Sequence, residues 1–482
     1  MTYKYLITVS GELPFKSWRS RPKFYRVLIK NISEVLQEYG STNYSFKIIN
    51  AKIFLESDID VLEDLSRVFG VMKIGEVDLI NFNDLKDLVS KVGEKAVSLV
   101  TNKKFAVRVK RFGTHEFTSL DVARELGAFL KPYSAGVDLE KPEVEIHVEI
   151  RGPTAYFYKK LISGVGGLPI GTEGHALSLF SGGIDSPVAT WLVAKRGIKI
   201  DFLHFFMGSP SATRLAFTVA KTLTYNWFYG HNPRFYVIDL THALNYIRTN
   251  VRWEFRQVVL KTLMYYLASK IAAGNYDAVV TGESIGQTSS QTLVNLSAAQ
   301  LVSGLQLPVL RPLIGLDKEE IVSLARRIGT YETSSMVGEP CSIAPSRVRT
   351  KVSVEELRSE FMKLPEDLMT KVLNTLKVFE VRASSLDDVV PDKSIVIDYI
   401  PDDAVVIDLR DLDEYLEWHY PGALHYEKIN LEELRDKTLI LYCDKGNRSY
   451  VEALKLREKG FKAYSFLNGA EGLRRGSPAS QS

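Results

Sequence analysis

The feature that most constrains this chain is a glycine-rich turn at 181–187, with the sequence SGGIDSP. An apolar run at 176–180 precedes the turn and a helical pattern at 188–196 follows it, which predicts the order strand, tight turn, helix. Ser186 is predicted to be the N-cap of this helix and Gly197 its C-cap. Small residues let successive N–H groups point at one spot, where the positive end of the helix adds to the field. The pattern favours a phosphate site over an ordinary surface turn.

The turn does not match the Walker pattern GxxxxGK[ST], because no lysine follows the glycines. It instead resembles the SGGxDS turn of the PP-loop ATP pyrophosphatases, which cleave ATP between the α and β phosphates and adenylate a carbonyl oxygen. The resemblance implies that the turn holds the leaving pyrophosphate. Asp185 is then either a magnesium ligand or an organiser of the turn, since hard carboxylate oxygens suit Mg²⁺.

Length and charge distribution indicate a multidomain protein with a polyanionic partner. A chain of 482 residues exceeds what one core usually organises, so we expect three or four domains. The first thirty residues carry seven basic side chains and one acid, Glu12, whereas the region after 385 is rich in acids. A solvated charged face is the alternative reading of the basic end. No secretory h-region or long apolar run occurs, so we expect a cytoplasmic protein with no membrane partner.

The first part of the chain alternates strand and helix patterns. Strands are predicted at 3–10 and 46–55, and helices at 21–39 and 58–69. The order suggests a small α+β domain over 1–75. It resembles the ferredoxin-like domain that precedes a THUMP domain.

The next segment, 76–165, resembles a THUMP domain itself. The sequence FAVRVKRFGTH at 105–115 is similar to the strand and basic turn of that family, and a helix at 121–130 and a strand at 144–150 follow. The resemblance implies binding to tRNA, largely at its 3′ acceptor end. Basic side chains would meet phosphates, which position RNA without reading its sequence. These predicted RNA-binding residues are Lys103, Lys104, Arg108, Lys110 and Arg111.

A doubly wound, Rossmann-like parallel sheet is predicted for 172–350. Its strands are predicted at 176–180, 198–206, 234–240 and 277–281. Ligands of such sheets bind beyond the carboxyl ends of the strands, so His204 and Phe205 are placed to touch a bound adenine. A core aromatic pair at a strand end is the alternative. Lys318 opens a predicted helix behind the N-cap Asp317 and opposes the helix dipole, which hints at an anion held nearby.

Three motifs, SGGIDSPVA, TGESIGQTSSQTLVNL and RPLIGLDKEEI, together with the preceding THUMP segment, resemble the tRNA 4-thiouridine synthase family. The resemblance implies that ATP and Mg²⁺ are bound, that Asp185 and Lys318 act in adenylation, and that Asp185 is the metal ligand. Lys261 stands where the family usually has arginine. The ATP-binding residues implied are Leu179, Phe180, Ser181, Gly182, Gly183, Asp185, Ser186, His204, Phe205, Lys261, Gly282 and Gln291.

The chain has two cysteines, too few for a disulfide framework, and no CxxC motif, which argues against zinc or an iron–sulfur cluster. Cys341 lies in a loop where the family often has two adjacent cysteines. A linker helix is predicted at 351–384. Further along the chain, Cys443 follows a predicted strand and precedes a predicted helix, with Lys445 and Arg448 nearby in sequence. A thiol in these surroundings should be nucleophilic. This order over 385–475 resembles an α/β rhodanese domain, whose loop cradles a persulfide.

The family resemblance implies a complete reaction. ATP would adenylate the C4 oxygen of uridine 8 in tRNA, and a persulfide on Cys443, loaded by a cysteine desulfurase, would supply the sulfur of 4-thiouridine. Cys341 would then form a disulfide with Cys443 that a reductant reopens. Direct persulfide attack and prior release of bisulfide both remain open, and the rhodanese part is also implied to donate sulfur for the thiazole of thiamine. The alternatives are an adenylating ligase for a small substrate and a non-catalytic sulfur carrier that docks RNA.

Overall fold

The structure is a computed structural model that describes residues 2–287, 291–337, 349–390, 393–444 and 446–476. The chain divides into two compact units, 1–169 and 170–482. None of the described helices combines the length and apolar character needed to cross a bilayer.

The first unit is built on one sheet with the strand order β2-β3-β1-β4-β8-β7-β5-β6. Its strands are β1 (Tyr3–Val9), β2 (Tyr44–Ile49), β3 (Lys52–Ser57), β4 (Val71–Asn81), β5 (Lys104–Phe112), β6 (Gly136–Val137), β7 (Val144–Arg151) and β8 (Thr154–Ser163). Its helices are α1 (Glu12–Phe15), α2 (Arg21–Glu38), α3 (Leu62–Leu65), α4 (Leu85–Val100) and α5 (Ser119–Leu130). The predicted boundary at residue 75 lies inside β4, which pairs with β1 on one side and β8 on the other. The ferredoxin-like and THUMP segments therefore share a continuous sheet.

Two predictions for the first unit were wrong. The strand predicted at 46–55 is a hairpin, because Asn50 and Ala51 adopt positive φ angles and turn β2 back onto β3. The helix predicted at 58–69 is reduced to α3. Asp58 does not start a helix because its carboxylate accepts hydrogen bonds from the backbone and side chain of Thr42.

The second unit contains a six-stranded sheet with the order β13-β12-β9-β10-β11-β14. Its strands are β9 (His175–Leu179), β10 (Lys199–Phe206), β11 (Arg234–Asp239), β12 (Ala278–Val280), β13 (Val309–Leu310) and β14 (Lys377–Glu380). Its helices are α6 (Asp185–Ala194), α7 (Pro210–Trp227), α8 (Thr241–Asn250), α9 (Arg256–Ala272), α10 (Leu293–Ser303), α11 (Lys318–Ile328), α12 (Tyr331–Met336), α13 (Val354–Phe361) and α14 (Glu366–Asn374). All neighbouring strands are parallel except the antiparallel edge pair β11 and β14. The strand order reverses at β9, so the loop after β9 lies at the switch point where such sheets bind ligands.

The predicted linker helix at 351–384 is built differently. It consists of α13, α14 and β14. Pro365 separates the two helices, with φ −65° and ψ 146° at the N-cap of α14. β14 then extends the six-stranded sheet by pairing with β11. This segment is therefore part of the domain built on that sheet and is not a separate linker.

A second, smaller sheet of this unit has the order β15-β19-β18-β16-β17 and is parallel throughout. Its strands are β15 (Val396–Ile397), β16 (Val405–Asp408), β17 (Leu424–His425), β18 (Thr438–Tyr442) and β19 (Lys462–Phe466). The helices of this part are α15 (Leu412–Glu417), α16 (Asn447–Glu458) and α17 (Gly469–Gly476). The central strand β18 ends immediately before Cys443.

Candidate active site

The predicted phosphate turn joins β9 to α6. Gly182 has a φ of +79°, and a Cβ at this position would lie 2.4 Å from the Cα atom of Ala216, so only glycine fits. The backbone N–H of Gly182 donates to Ser186 Oγ at 3.2 Å. The N–H of Gly183 donates to Ser181 Oγ at 3.3 Å. The two serine hydroxyls thus hold the shape of the turn.

Helix α6 begins earlier than predicted. Its N-cap position is Ile184, so Ser186 is not the cap but lies in the first turn, with its hydroxyl directed back to the loop. No side chain caps the start of the helix. Gly197 has a φ of +88° and lies two residues beyond the C-cap residue Lys195. The uncapped, positive end of α6 is the type of group that binds an anion.

A cavity of about 370 Å³ opens beside this turn. Apolar side chains and polar groups of the turn both line it, as is typical of small-molecule sites. The predicted site residues that line it are Leu179, Phe180, Ser181, Gly183, Asp185, His204, Phe205 and Lys318.

Asp185 and Lys318 meet at the edge of the cavity. Lys318 Nζ lies 2.8 Å from Asp185 Oδ1, and Gln287 Nε2 donates to Asp185 Oδ2 at 3.3 Å. Asp317 caps α11 as predicted, with a reciprocal hydrogen bond to Glu320. The lysine side chain is 45% exposed and the aspartate 28%, so the pair adds little to stability and is accessible to a ligand.

His204 contributes a neutral ring to the cavity wall. Its Nδ1 lies 2.9 Å from the carbonyl oxygen of Phe180, and its Nε2 lies 3.0 Å from Thr213 Oγ1. Burial lowers the pKa of His204 to about 4. Both ring nitrogens are thus engaged by the protein, which leaves the ring itself as the surface that a ligand meets.

Lys261 lies outside the cavity lining and forms an ion pair with the buried Glu283 at 2.7 Å. Arg311 Nε donates to the same carboxylate at 2.9 Å, and Tyr265 donates to it at 2.6 Å. Burial alone would raise the pKa of Glu283, but these cations and hydrogen bonds lower it to about 2. This network, which we call the Glu283 cluster, explains the local position of Lys261 without a ligand.

Gly282 and Gln291 shape the loop that follows β12. A Cβ on Gly282 would lie 2.8 Å from the backbone nitrogen of Ser186, so glycine lets this loop pack against the start of α6. Gln291 Oε1 accepts a hydrogen bond from the N–H of Ser284 at 3.1 Å and does not line the cavity. Gly282 therefore lets the loop pack against the turn, and Gln291 stabilises the loop itself.

Cys443 is a buried free cysteine at the end of β18. Its Sγ lies 3.8 Å from Ser449 Oγ in the first turn of α16, whose N-cap is Gly446 with a φ of +90°. A Cβ on Gly469 would lie 1.9 Å from the carbonyl oxygen of Cys443, so the loop is tightly packed. Cys341 and Lys445 lie outside the described residues, and the disulfide between Cys341 and Cys443 stays a prediction.

Helix α16, which packs on the smaller sheet of the second unit, contacts strand β10 and helix α8 of the larger domain. The rings of Phe206 and Tyr450 are 5.1 Å apart and nearly perpendicular. Phe206 follows the cavity residue Phe205, and Tyr450 lies in the helix that begins after the Cys443 loop. His242 Nδ1 also lies 3.7 Å from Glu458 Oε1 across this contact.

The five predicted RNA-binding residues fall into two groups in the first unit. The side chains of Lys103, Lys104 and Lys110 are exposed. Arg108 is instead held by Glu145 at 2.8 Å, and Arg111 donates to the carbonyl oxygen of Gly113 at 2.9 Å. The lysines are thus the more accessible phosphate contacts.

Comparison with known families covers most of the chain. A model described as thiamine biosynthesis protein (ThiI) matches residues 171–365, and a ThiI ferredoxin-like model matches 5–75. A THUMP domain model matches 80–159 and a rhodanese-like domain model matches 394–472.

Curated relatives match along the full length. A tRNA sulfurtransferase of Desulfurococcus amylolyticus is 48% identical over 474 residues, which cover 98% of this chain and 98% of that protein. The chain belongs to the tRNA sulfurtransferase family. A second tRNA sulfurtransferase, from Pyrobaculum aerophilum, is 39% identical over 466 residues, which cover 94% of this chain and 95% of that protein.

Solved structures agree with this tRNA sulfurtransferase assignment. The crystal structure of a 4-thiouridine synthetase–RNA complex with bound ATP aligns with a TM-score of 0.67 and 27% identity, covering 79% of this chain and 99% of that one. A protein of Pyrococcus horikoshii aligns with a TM-score of 0.52 at 22% identity, which supports the fold alone. The predicted multidomain α/β architecture and enzyme class are confirmed at the level of the family.

Two polar residues at or beside this candidate site were not predicted from the sequence. Gln287 bonds to Asp185, and Glu283 organises Lys261 and Arg311. Glu283 carried a usable signal, because an acid directly after a buried strand requires a cation as a partner. The partner itself was not predictable, since Lys261 lies on α9, one element earlier in the chain.

Proposed function

We propose that this protein is an ATP-dependent enzyme that converts uridine 8 of tRNA to 4-thiouridine. The observation that carries the proposal is the Asp185–Lys318 pair, which stands at the uncapped start of α6 beside an apolar cavity. This arrangement combines an anion site, an exposed cation and apolar side chains suited to a planar ring. It suits a nucleotide whose α-phosphate is to be attacked.

ATP would bind with its adenine against the cavity wall and its phosphates at the turn. Phe205 and the neutral ring of His204 supply that wall, and the N–H groups at the start of α6 receive the phosphates. The uridine C4 oxygen attacks the α-phosphorus, the bond to the β-phosphate oxygen breaks, and pyrophosphate leaves. When ATP binds, the Lys318 ammonium would leave its ion pair with Asp185 and contact the phosphates instead. It would then stabilise the negative charge that develops on them during the reaction.

The residues present fit a magnesium ion. Asp185 is the carboxylate that lines the cavity in the part of the chain described, and Mg²⁺ is commonly held by one or two carboxylates together with substrate phosphates. Asp185 would hold the ion, which when bound neutralises phosphate charge. Gln287, on the other oxygen of Asp185, keeps the carboxylate oriented.

Sulfur would arrive as a persulfide on Cys443, loaded by a cysteine desulfurase. The terminal sulfur attacks C4, AMP leaves, and a disulfide joins the nucleoside sulfur to Cys443. The Cys341 thiolate then attacks Cys443 Sγ, which releases the 4-thiouridine and forms the Cys341–Cys443 disulfide. In the other order, Cys341 first releases bisulfide, which then attacks C4. Both routes leave the same disulfide, which an external dithiol reduces.

The tRNA would be positioned by the exposed lysines of the THUMP segment, Lys103, Lys104 and Lys110, acting on phosphates. We further propose that persulfide on Cys443 donates sulfur to the thiazole of thiamine, a reaction that needs no tRNA. The description of the family model supports this second use. Growth of a deletion strain without thiamine tests it.

The main proposal is tested by mass spectrometry of tRNA nucleosides after incubation with ATP, a desulfurase and cysteine. Wild-type protein should form 4-thiouridine, and Cys443→Ala should form none while it still binds tRNA and releases pyrophosphate. An adenylating ligase for a small substrate would release pyrophosphate without tRNA and form no 4-thiouridine. A non-catalytic carrier would form no AMP. Unchanged 4-thiouridine in the Cys443→Ala reaction would refute the role of this cysteine.

A further inference from the structure

Two aromatic side chains near the start of the chain are unusually exposed. Phe15 is 91% exposed and Trp18 is 75% exposed. They lie on residues 12–20, which comprise the one-turn helix α1 and the loop that joins it to α2; we call this segment the aromatic loop. The two residues are three positions apart in the chain, and large exposed apolar groups rimmed by polar residues mark interaction surfaces. We propose that the aromatic loop stacks on unpaired bases of tRNA, an inference that rests on the proposed function.

The aromatic loop has a defined shape. Leu13 is fully buried and anchors it to the body of the unit. Ser17 Oγ and Ser20 Oγ lie 2.8 Å apart, and the N–H of Arg21 donates to the carbonyl oxygen of Ser17 at 2.9 Å. The guanidinium of Arg21 also donates to the carbonyl oxygen of Lys16. The exposed rings therefore project from an ordered backbone, which lowers the entropy lost on binding.

The charge around the rings fits a nucleic acid. The guanidinium of Arg19 lies 5.0 Å from the ring centroid of Trp18. Lys16, Arg21 and Lys23 are also within or beside the loop, and Glu12 is the one acid among the first thirty residues. A cationic surface attracts a polyanion, and an aromatic ring held beside a cation binds a base through its π-face. Unpaired bases in RNA loops and ends are the usual targets of such rings.

The test is tRNA affinity, measured by fluorescence anisotropy on the full-length protein. Trp18→Ala should weaken binding roughly tenfold, whereas Trp18→Phe, which keeps an aromatic ring, should bind within about twofold of wild type. The slope of log Kd against log salt should not change for Trp18→Ala, because stacking neutralises no phosphate. Arg19→Ala should make that slope shallower. Because these side chains are exposed, the variants should fold.

The matched control is Trp253→Ala, which removes a tryptophan that is 47% exposed in the other compact unit and should leave tRNA affinity unchanged. If wild-type protein does not bind tRNA, the proposed function fails. If wild type binds and Trp18→Ala binds equally well, only the stacking inference is overturned. If Trp18→Ala binds tRNA as wild type does but no longer binds a protein partner or lipid vesicles, the stacking inference is also overturned, and the aromatic loop binds that other ligand.

Discussion

Replacement of Glu283 by glutamine should be costly, because the Glu283 cluster is buried. The Glu283 side chain is 9% exposed, and its carboxylate accepts from Lys261, Arg311 and Tyr265. Glutamine keeps the shape and some hydrogen bonds but leaves both cations without a counter-charge. Removal of one partner from a buried charged network typically costs about 3–5 kcal/mol.

The pKa of Glu283 gives a second measure of the same contribution. Its fall from 4.5 to about 2 corresponds to roughly 3 kcal/mol of stability, at about 1.4 kcal/mol per pH unit. Because the folded pKa lies below the unfolded one, this contribution is complete above about pH 5. It declines as the pH falls from 4.5 toward 2. The stability difference between wild type and Glu283→Gln should therefore be smaller at pH 3.5 than at pH 7, by on the order of 1 kcal/mol.

Urea unfolding at the two pH values measures this difference. The buried Trp191 and Trp227, whose rings are 5.4 Å apart in the same domain, provide the fluorescence signal. The control Asp367→Asn removes an ion pair with Lys371 whose side chains are more than 70% exposed, and it should leave the midpoint unchanged. A loss below about 1 kcal/mol at pH 7, or a difference that stays constant with pH, would refute the reasoning.

Two further predictions concern the phosphate turn at 181–187, in addition to those for Cys443 and Trp18. Gly282→Ala should lower pyrophosphate release at least tenfold, because its methyl group would lie 2.8 Å from the nitrogen of Ser186. Gly315→Ala, with no atom within 4 Å, should retain the activity, and equal losses in both variants would contradict the steric argument. Asp185→Ala should stop pyrophosphate release in the presence of tRNA and ATP while tRNA affinity is kept. Persistent release would exclude Asp185 from adenylation.

Much of the fold was predictable because local rules determine it. The run at 176–180, the glycine pair and the helix pattern produced β9, the turn and α6. Asp317 was recognisable as an N-cap because a glutamate three residues later completes a capping box. The start of α6 was misplaced because Ser186 has a competing use, namely the hydrogen bond to Gly182. Local signals thus located the elements better than their ends.

Pairings over long sequence distances were not predictable from one sequence. Gln287 and Asp185 are far apart in the chain, and polar loop composition did not indicate which glutamine reaches the carboxylate. The sequence pattern did not place β14 on the sheet edge beside β11, since a strand of four residues is too short to be distinguished from part of a linker by its pattern. Lys261 matched a family position, but its partner Glu283 decided where its side chain lies.

The two proposed reactive centres of the second unit have similar surroundings. Each lies at the carboxyl end of a central parallel strand, next to the start of a helix, where N–H groups favour the negative charge that we propose for it: phosphate at α6 and persulfide sulfur at α16. The contact between Phe206 and Tyr450 links them, because Phe206 adjoins the cavity residue Phe205 and Tyr450 follows the Cys443 loop. If the proposed sulfur transfer moves the Cys443 loop relative to the cavity, the contact between Phe206 and Tyr450 lies where that movement would change the structure.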